Sequence, residues 1–284
     1  MDEAIRKANV LIEALPYIKA FHKKATVIKY GGSILGEDRV RKGVLEDVVF
    51  LSYMGLRPVL VHGGGPNISD RMRKSGKKTN FVDGMRITDQ ETLKIVEEEL
   101  EKLNKKIVKE IEGFGGKAKG FTSNKNSILN VEKKKSKVDL GLVGKMADVD
   151  TNQMLKDMSN HIIPVISPMG KDSKGVIYNI NADEVASFVA AALGAIKFVL
   201  LTNVKGIMRD MDDSNSFLAS IREDEAKKLI KDKVIQEGMI PKIEACFQAI
   251  DGGVKKSHII DAKIPHALLL EIFTDKGIGT EIAK

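Results

Sequence analysis

ATVIK (residues 25–29) and PVLV (residues 58–61) are two short apolar runs, and they lead into the glycine groups Gly31-Gly32 and Gly63-Gly64-Gly65. Apolar runs of this length, bounded by glycine, are typical of strands buried on both faces of a sheet. The intervening residues 40–54 have the apolar spacing of a helix. A strand, a helix and a second strand in this order predict a βαβ unit with parallel strands.

The same alternation continues along the chain. Further strands are expected at residues 161–166, 197–202 and 257–260, and further helices at residues 91–112, 183–193, 223–236, 241–251 and 265–270. Residues 127–132 and 138–143, joined by a run of lysines, are expected to form a two-stranded excursion. We therefore predict an α/β fold, a three-layer αβα sandwich with a central, mainly parallel sheet.

Two helices carry more specific expectations. Thr88 and Glu91 have the spacing of a capping box, so Thr88 is expected to cap the helix over 91–112. Helical spacing also runs through residues 5–15, but Pro16 falls inside this pattern and is expected to kink or end the helix. Because this helix precedes the first strand, its apolar stripe is expected to lie outside the core that the alternating strands and helices form.

The composition is that of a globular protein of roughly two domains: 284 residues, 43% hydrophobic and 30% charged. The longest stretch without Asp, Glu, Lys or Arg, residues 158–170, falls short of the ~20 apolar residues of a membrane span, and no secretory signal is recognisable. We expect a cytoplasmic protein that contacts no membrane. A single cysteine, Cys246, excludes an internal disulfide and a zinc finger.

The net charge of +7 is spread along the chain. Its densest run, residues 133–137, has no interleaved aromatic residues, and other lysines alternate with glutamates along helical faces. Charge distributed in this way is typical of solvated faces, so we do not expect nucleic-acid binding. A basic surface would also attract small anionic substrates.

Both glycine groups follow strands at the end of a parallel sheet where ligands bind. Glycine allows backbone N–H groups to approach an anion closely, and Pro66 suits the first turn of a helix that faces this ligand. Lys29 precedes the first group and His62 the second. The pattern GxxxxGK[ST] is absent and neither group completes GxGxxG, which argues against a P-loop protein and against a dehydrogenase.

Other polar residues stand at expected helix starts. Lys242 follows a proline, in a first turn where the macrodipole disfavours a cation unless an anion is bound. Asn179, Asn181 and Asp183 lie within five residues of one another, although one of them suffices as a cap. The others suggest contacts with a ligand or with lysines. Arg86 could pair with a substrate carboxylate or form a salt bridge to a neighbouring aspartate.

Seven segments resemble, in order, those of the amino acid kinase family, and in particular of the members that phosphorylate N-acetyl-L-glutamate. They are IKYGGS (28–33), VLVHGGGP (59–66), FVDGMRITD (81–89), ISPMG (166–170) followed by YNINADEVA (178–186), FVLLTNVKGI (198–207), EGMIPK (237–242) and HALLLEIFTDKGIGT (266–280). The similarity runs from about residue 25 to the C-terminus. LIEALPYIKAF (11–21) is similar to the additional N-terminal helix of the arginine-inhibited members.

The resemblance implies that the γ-phosphoryl group of ATP is transferred to the side-chain carboxylate of N-acetyl-L-glutamate, in arginine biosynthesis. It implies an N-terminal oligomerisation helix (1–24), an acetylglutamate-binding lobe (25–181) and an ATP-binding lobe (182–284). Lys29 and Lys242 would contact the transferring phosphoryl group, and Asp183 would orient both lysines. The residues implied to hold acetylglutamate are Gly64, Gly65, Arg86 and Asn179, and those implied to hold nucleotide or phosphate are Gly32, Gly64 and Asn203. Asn203 stands where relatives often carry aspartate.

The implied reaction needs no general base, because a carboxylate with a reference pKa near ~4.3 is already ionised at neutral pH. The enzyme must bring two anions together and neutralise charge on the phosphoryl oxygens, so positioning and electrostatics should dominate. Magnesium commonly keeps few protein ligands, so Mg²⁺ is expected on the ATP phosphates and no protein ligand is assigned to it.

The resemblance also implies a homohexamer, a trimer of dimers joined by interlaced N-terminal helices, and inhibition by free L-arginine. The implied arginine site comprises Tyr17, His258, Glu271 and Gly279, with backbone groups from the turn at 276–279. The alternatives are that Tyr17 is a packing residue and that Glu271 is a surface partner of a lysine.

Two other functions stay open from the sequence. One is a different amino acid kinase, acting on aspartate, glutamate or carbamate. A free amino acid needs an acidic group for its ammonium, so Arg86 and Asn179 favour an acetylated substrate. The other is a non-catalytic arginine-sensing homologue, which the presence of Lys29, Asp183 and Lys242 argues against.

Overall fold

The computed structural model describes residues 1–32, 36–210, 213, 216–235, 238–274 and 277–284, apart from the side chain of Lys7. Within these residues the helices are α1 (Asp2–Phe21), α2 (Asp38–Tyr53), α3 (Gly65–Lys74), α4 (Gln90–Gly113), α5 (Asn152–Ser159), α6 (Ala182–Ala192), α7 (Glu223–Lys231), α8 (Ile240–Asp251) and α9 (Ala267–Phe273). The first strands are β1 (Ala25–Tyr30), β2 (Arg57–His62), β3 (Phe81–Val82), β4 (Met85–Arg86), β5 (Lys117–Phe121), β6 (Leu129–Lys133), β7 (Gly144–Val149) and β8 (Ile162–Ile166). The remaining strands are β9 (Met169–Lys171), β10 (Ile177–Asn179), β11 (Lys197–Thr202), β12 (Ile207–Met208), β13 (Phe217–Leu218), β14 (Ser220–Arg222), β15 (Lys256–Asp261) and β16 (Thr280–Ala283).

The central sheet has eight strands in the order β14-β16-β15-β11-β1-β2-β8-β5. Its pairs are parallel except for β15 with β16, which is antiparallel. Strands that precede residue 182 occupy one half of the sheet and strands that follow it the other half, and the halves adjoin at β1 and β11. The predicted α/β fold with a mainly parallel sheet is confirmed.

Helices cover both faces of this sheet. Strand β1 is buried throughout and alternates its side chains, so that Val27 joins one apolar core and Ile28 the other. The first core takes its helical residues from α5, α6, α7 and α8, and the second from α2, α4 and α9. Two cores separated by one sheet are the three layers of the expected sandwich.

Helix α1 continues through Pro16 to Phe21, so this proline does not end the helix. Near its end, Phe21 packs against the core that contains α2 and α9. Several apolar side chains of the preceding turns are largely exposed, namely Ile5, Val10, Leu11, Ile12 and Leu15. Their exposure agrees with the expectation that the stripe lies outside the core.

The two-stranded excursion expected at residues 127–132 and 138–143 is present, but its second strand lies elsewhere. Strand β6 pairs antiparallel with β7 at Gly144–Val149, whereas a strand was expected at 138–143. The apolar spacing of 138–143 does not form a strand because the Asp139 carboxylate accepts a hydrogen bond from the Gly141 N–H and turns the backbone. Strands β9 and β10 complete this second sheet, in the order β10-β9-β6-β7.

Two helix termini also differ from expectation. Asp89, not Thr88, caps α4, because its carboxylate accepts a hydrogen bond from the Thr92 N–H. The Thr88 hydroxyl instead donates to the carbonyl of Arg86. Helix α7 ends at Lys231 rather than near residue 236, which itself lies outside the described residues. None of the helices in the described chain combines the length and the apolar character needed to cross a bilayer.

Candidate active site

The two glycine turns leave the same edge of the sheet and lie against each other. Strands β1 and β2 are paired in register, with Tyr30 opposite His62, and the Gly63 N–H donates to the Tyr30 carbonyl. A Cβ on Gly32 would lie 2.9 Å from Pro66 Cδ and 3.2 Å from the Gly64 nitrogen. This close approach of two backbones leaves no room for a side chain at position 32.

Two lysines meet one carboxylate beside these turns. Asp183 lies in the first turn of α6, whose cap is Asn181, and its carboxylate is 2.7 Å from Lys29 Nζ of β1. Lys242, in the first turn of α8 as expected, approaches the same carboxylate to 3.1 Å. Asp183 and Lys29 are buried, whereas a quarter of the Lys242 side chain (25%) is exposed. One negative and two positive charges make this cluster an attractive environment for an anion.

Burial and charge act in opposite directions on Asp183. Burial by itself would raise the pKa of this carboxyl, but the ammonium groups of Lys29 and Lys242 hold its pKa below the usual value. Burial lowers the pKa of Lys29, against the attraction of Asp183. Asp183 is therefore ionised at neutral pH and holds both lysines.

Two cavities meet at this cluster. The first, of about 300 Å³, contains many of the predicted site residues, namely Lys29, Gly32, Gly64, Gly65, Arg86, Asn179 and Asp183. The second, of about 270 Å³, is lined by Thr202, Asn203, Val204, Met239 and Lys242, among others. Because Lys242 contacts Asp183, groups bound in the two cavities would face each other across the lysines.

Arg86 of β4 is a buried cation in the wall of the first cavity. Its Nη2 donates to the Ser69 hydroxyl (2.8 Å) and to the Gly65 carbonyl (3.1 Å), and the guanidinium lies 4.7 Å from the centre of the Phe81 ring. No carboxylate of the described residues forms an ion pair with it, so the alternative of a salt bridge to a neighbouring aspartate is not observed. Burial lowers its pKa, and an anionic ligand would compensate its charge.

Asn179 also lines the first cavity. Its amide nitrogen donates to the Thr88 hydroxyl (3.2 Å), which in turn donates to the Arg86 carbonyl. This chain of hydrogen bonds orients Asn179 relative to the strand that carries Arg86.

Two of the residues expected to bind arginine, His258 and Glu271, form a separate cluster on the other half of the sheet. Glu271 is buried, with its Oε1 2.7 Å from Lys197 Nζ and 3.1 Å from His258 Nε2, and its Oε2 accepts from the Ile278 N–H. Burial would raise the pKa of Glu271, but His258 and Lys197 hold its pKa below the usual value. Burial lowers the pKa of His258 to about 3. Glu271 is therefore a buried partner of a lysine rather than a surface partner.

The other two residues of the expected arginine site are Tyr17, on α1, and Gly279, which follows α9 in the chain. Tyr17 is half-buried on α1, which contacts α9, and Gly279 is packed against Ile259 and Ile260 of β15. Residue 276, part of the predicted turn, lies outside the described residues.

The described residues offer no evident metal site. They contain no group of three or more His, Cys, Asp or Glu side chains placed to hold a metal ion. Among the described residues that line the two cavities, Asp183 is the one acidic residue, and it is already engaged by two lysines.

The buried amide of Asn104 is a polar residue near the site that the sequence did not indicate. It lies on α4 behind the second glycine turn and contacts His62. A polar residue inside the apolar stripe between Leu100 and Ile107 is the signal that could have revealed it.

Residues 24–261 match the model of the amino acid kinase family, and this chain belongs to that family. Its relatives include the acetylglutamate kinases of Methanocaldococcus jannaschii and Heliobacterium modesticaldum. The first is 47% identical over all of this chain and 98% of its own length, and the second is 44% identical over the whole of both chains.

Solved structures show the same fold. The N-acetylglutamate synthase of Neisseria gonorrhoeae, complexed with coenzyme A and N-acetyl-glutamate, superposes with a TM-score of 0.87 at 24% identity. The match covers 98% of this chain and 63% of that one. The carbamate kinase of Giardia lamblia bound to AMP-PNP gives a TM-score of 0.67 at 17% identity, over 92% of this chain and 99% of that one.

Proposed function

We propose that this chain is a kinase that transfers the γ-phosphoryl group of ATP to the side-chain carboxylate of N-acetyl-L-glutamate. Relatives that are acetylglutamate kinases match it over its full length at 44–47% identity. The observation that carries the proposal is the junction of two cavities at Lys29, Asp183 and Lys242. A donor and an acceptor bound in these cavities would meet at two ammonium groups.

The first cavity is suited to an acidic substrate without a free ammonium group. Its described lining includes the buried cation Arg86 and the amide of Asn179, and its one acidic side chain, Asp183, already pairs with two lysines. An α-ammonium group would find no carboxylate available to it. An acetylated amino acid has no such group, so Arg86 can bind its α-carboxylate while the side-chain carboxylate points toward Lys29.

The second cavity is proposed for ATP, with Asn203 and Lys242 in its wall. Gly32 and Gly64, on turns that face each other, would offer N–H groups to the phosphoryl oxygens. Mg²⁺ would be held by the nucleotide phosphates and water, and it would neutralise part of their charge. The engagement of Asp183 by two lysines fits a metal that takes few or no ligands from the protein.

These residues act by position and charge. The acceptor carboxylate is already ionised at neutral pH, so no residue needs to remove a proton from it. Lys29 and Lys242 stabilise the negative charge that spreads over the phosphoryl oxygens, and Asp183 keeps both ammonium groups in place before the substrates bind. The preorganised ion cluster is thereby the proposed source of most of the rate acceleration.

Trapping of the acyl phosphate with hydroxylamine tests the proposed reaction. Incubation with ATP, Mg²⁺ and N-acetyl-L-glutamate should yield a hydroxamate, whereas aspartate, glutamate and carbamate should yield at most a small fraction of that rate. A faster reaction with one of the latter would assign the chain to a different kinase, and ATP consumption with none of them would indicate a non-catalytic homologue.

We also propose that α1 assembles dimers into a hexamer and that L-arginine inhibits the enzyme through Glu271 and Tyr17. The support is the exposed apolar stripe of α1 and the ionised state of Glu271, which a guanidinium requires. A cytoplasmic location remains an expectation from the sequence.

Deletion of residues 1–19 tests the assembly and the regulation together. The shortened chain should form smaller, active oligomers that no longer respond to arginine, and Glu271→Gln should weaken inhibition without changing the mass of the full-length assembly. A shortened chain that stays hexameric and inhibited would contradict both assignments.

A further inference from the structure

A buried chain of hydrogen bonds lies behind the second glycine turn. The Asn104 amide nitrogen of α4 donates to the Val165 carbonyl at 2.9 Å and lies 3.2 Å from His62 Nε2. The other ring nitrogen, His62 Nδ1, lies 3.1 Å from the Gly63 carbonyl oxygen. His62 and Asn104 are both buried, so water does not compete for these groups.

The chain of contacts defines where each proton lies. A carbonyl oxygen can only accept, so the nitrogen of the Asn104 amide must face Val165. The second hydrogen of that amide then points to His62 Nε2, which must carry a lone pair. Burial lowers the pKa of His62 to about 4, so the ring is neutral at pH 7 and its single proton lies on Nδ1, facing the Gly63 oxygen.

The Asn104 oxygen lies beside a glycine. This oxygen packs against Gly120 of β5, where the Cβ of any other residue would overlap it. The glycine leaves room for the Asn104 side chain to lie where its nitrogen reaches Val165 and His62.

The proton on His62 controls a group that lines the first cavity. The Gly63 carbonyl and the Gly64 N–H belong to one planar trans peptide, so they point in opposite directions. A hydrogen bond that holds the carbonyl toward His62 therefore turns the Gly64 N–H away from it, on the side of Gly32. Both glycines line the first cavity.

We propose that His62 and Asn104 are positioning residues, which fix the peptide between Gly63 and Gly64 so that its N–H is presented to the reacting groups. The inference rests on the proposed function in its last step, where this N–H serves a phosphoryl or substrate oxygen. Neither residue contacts the substrates, and both act through the peptide plane.

The tautomer can be measured without any activity. In ¹⁵N-labelled wild-type protein, the His62 signals are identified by their loss in His62→Asn, and proton-coupled spectra show which ring nitrogen carries hydrogen. We expect hydrogen on Nδ1, a lone pair on Nε2, and no protonation of the ring between pH 8 and pH 6. Hydrogen on Nε2, or a doubly protonated ring at pH 7, would overturn the proposal whether or not the chain phosphorylates acetylglutamate.

Two substitutions separate positioning from packing. In His62→Asn, the amide nitrogen can occupy the place of Nδ1 and still donate to Gly63, whereas His62→Leu removes the donor. We expect His62→Leu to lower kcat about tenfold or more, with KM for both substrates within about threefold, and His62→Asn to recover most of this loss. Equal losses in the two variants, or a change confined to KM, would show that His62 only fills space.

A control variant measures how far kcat falls when a buried polar residue elsewhere in this sheet is changed. The Thr26 hydroxyl on β1 is buried and has no hydrogen-bond partner among the described residues. Thr26→Val should leave kcat within about twofold of wild type. A wild-type enzyme inactive toward acetylglutamate would defeat the proposed function, while the tautomer measurement would still decide the orientation of the peptide.

Discussion

Replacement of Lys242 by alanine should separate catalysis from stability. The Lys242 Nζ lies 3.1 Å from the Asp183 carboxylate, but a quarter of the side chain is exposed (25%) and Lys29 remains as a second partner of Asp183. Partly solvated ion pairs contribute about 0–1 kcal/mol to folding. We therefore expect Lys242→Ala to unfold close to the temperature of the wild type.

The expected loss of activity is much larger. Removal of one preorganised group that stabilises transition-state charge typically lowers kcat by about 10²–10³, or ~2.7–4 kcal/mol. The rate would be followed by ADP release and by hydroxamate formation, and the fold by circular dichroism. Lys227, which forms an exposed ion pair with Glu223 on α7, provides a matched control, and Lys227→Ala should retain full kcat. A folded Lys242→Ala enzyme with nearly normal kcat would refute the proposed role of the lysine.

Three further outcomes follow from the same structure. Lys29→Met should lower stability by ~3–5 kcal/mol as well as kcat, because it removes the buried partner of the buried Asp183 carboxylate and leaves only the partly exposed Lys242. Adding Asp183→Leu should restore stability in urea unfolding but not activity. Arg86→Lys keeps the charge but loses the planar fork, so KM should rise more for acetylglutamate than for ATP, and equal rises would indicate a purely structural arginine. The buried rings of His62 and His258 have pKa values lowered from 6.5 to about 4 and about 3, so below pH 6.5 the unfolded chain binds protons that the folded chain does not. Each ring should therefore decrease stability by up to ~1.4 kcal/mol per pH unit as the pH falls from 6.5 toward 4, and a urea midpoint that rises over this range would contradict the burial of these rings.

The parallel core could be predicted because its strands are apolar throughout. Strand β11 has the predicted bounds, and β1 and β2 extend the predicted strands by one or two residues, since continuous apolar runs between glycines and helices have few alternative structures. The second strand of the excursion was wrong by several residues. In β7 only Gly144, Met146 and Val149 are buried, and such an interrupted pattern is a weaker signal than a continuous apolar run.

The sequence alone could predict only those site residues that each indicate a bound anion by their own position in the chain. The glycine turns, Lys29 and Lys242 stand at positions where a bound anion has a clear physical reason. Asn104 and His62 lie about 40 residues apart in the chain, and their contact depends on how α4 packs against the sheet. No local sequence pattern specifies this contact. The choice of Asp89 over Thr88 as the cap of α4 depends in the same way on the tertiary partners of Thr88.

A crystal structure with N-acetyl-L-glutamate and a non-hydrolysable ATP analogue would test the central claim most directly. We predict the γ-phosphate within hydrogen-bonding distance of both Lys29 and Lys242, and the α-carboxylate of acetylglutamate on Arg86 with its side-chain carboxylate facing the phosphate. A nucleotide bound in the first cavity, or a γ-phosphate that contacts neither lysine, would contradict the account.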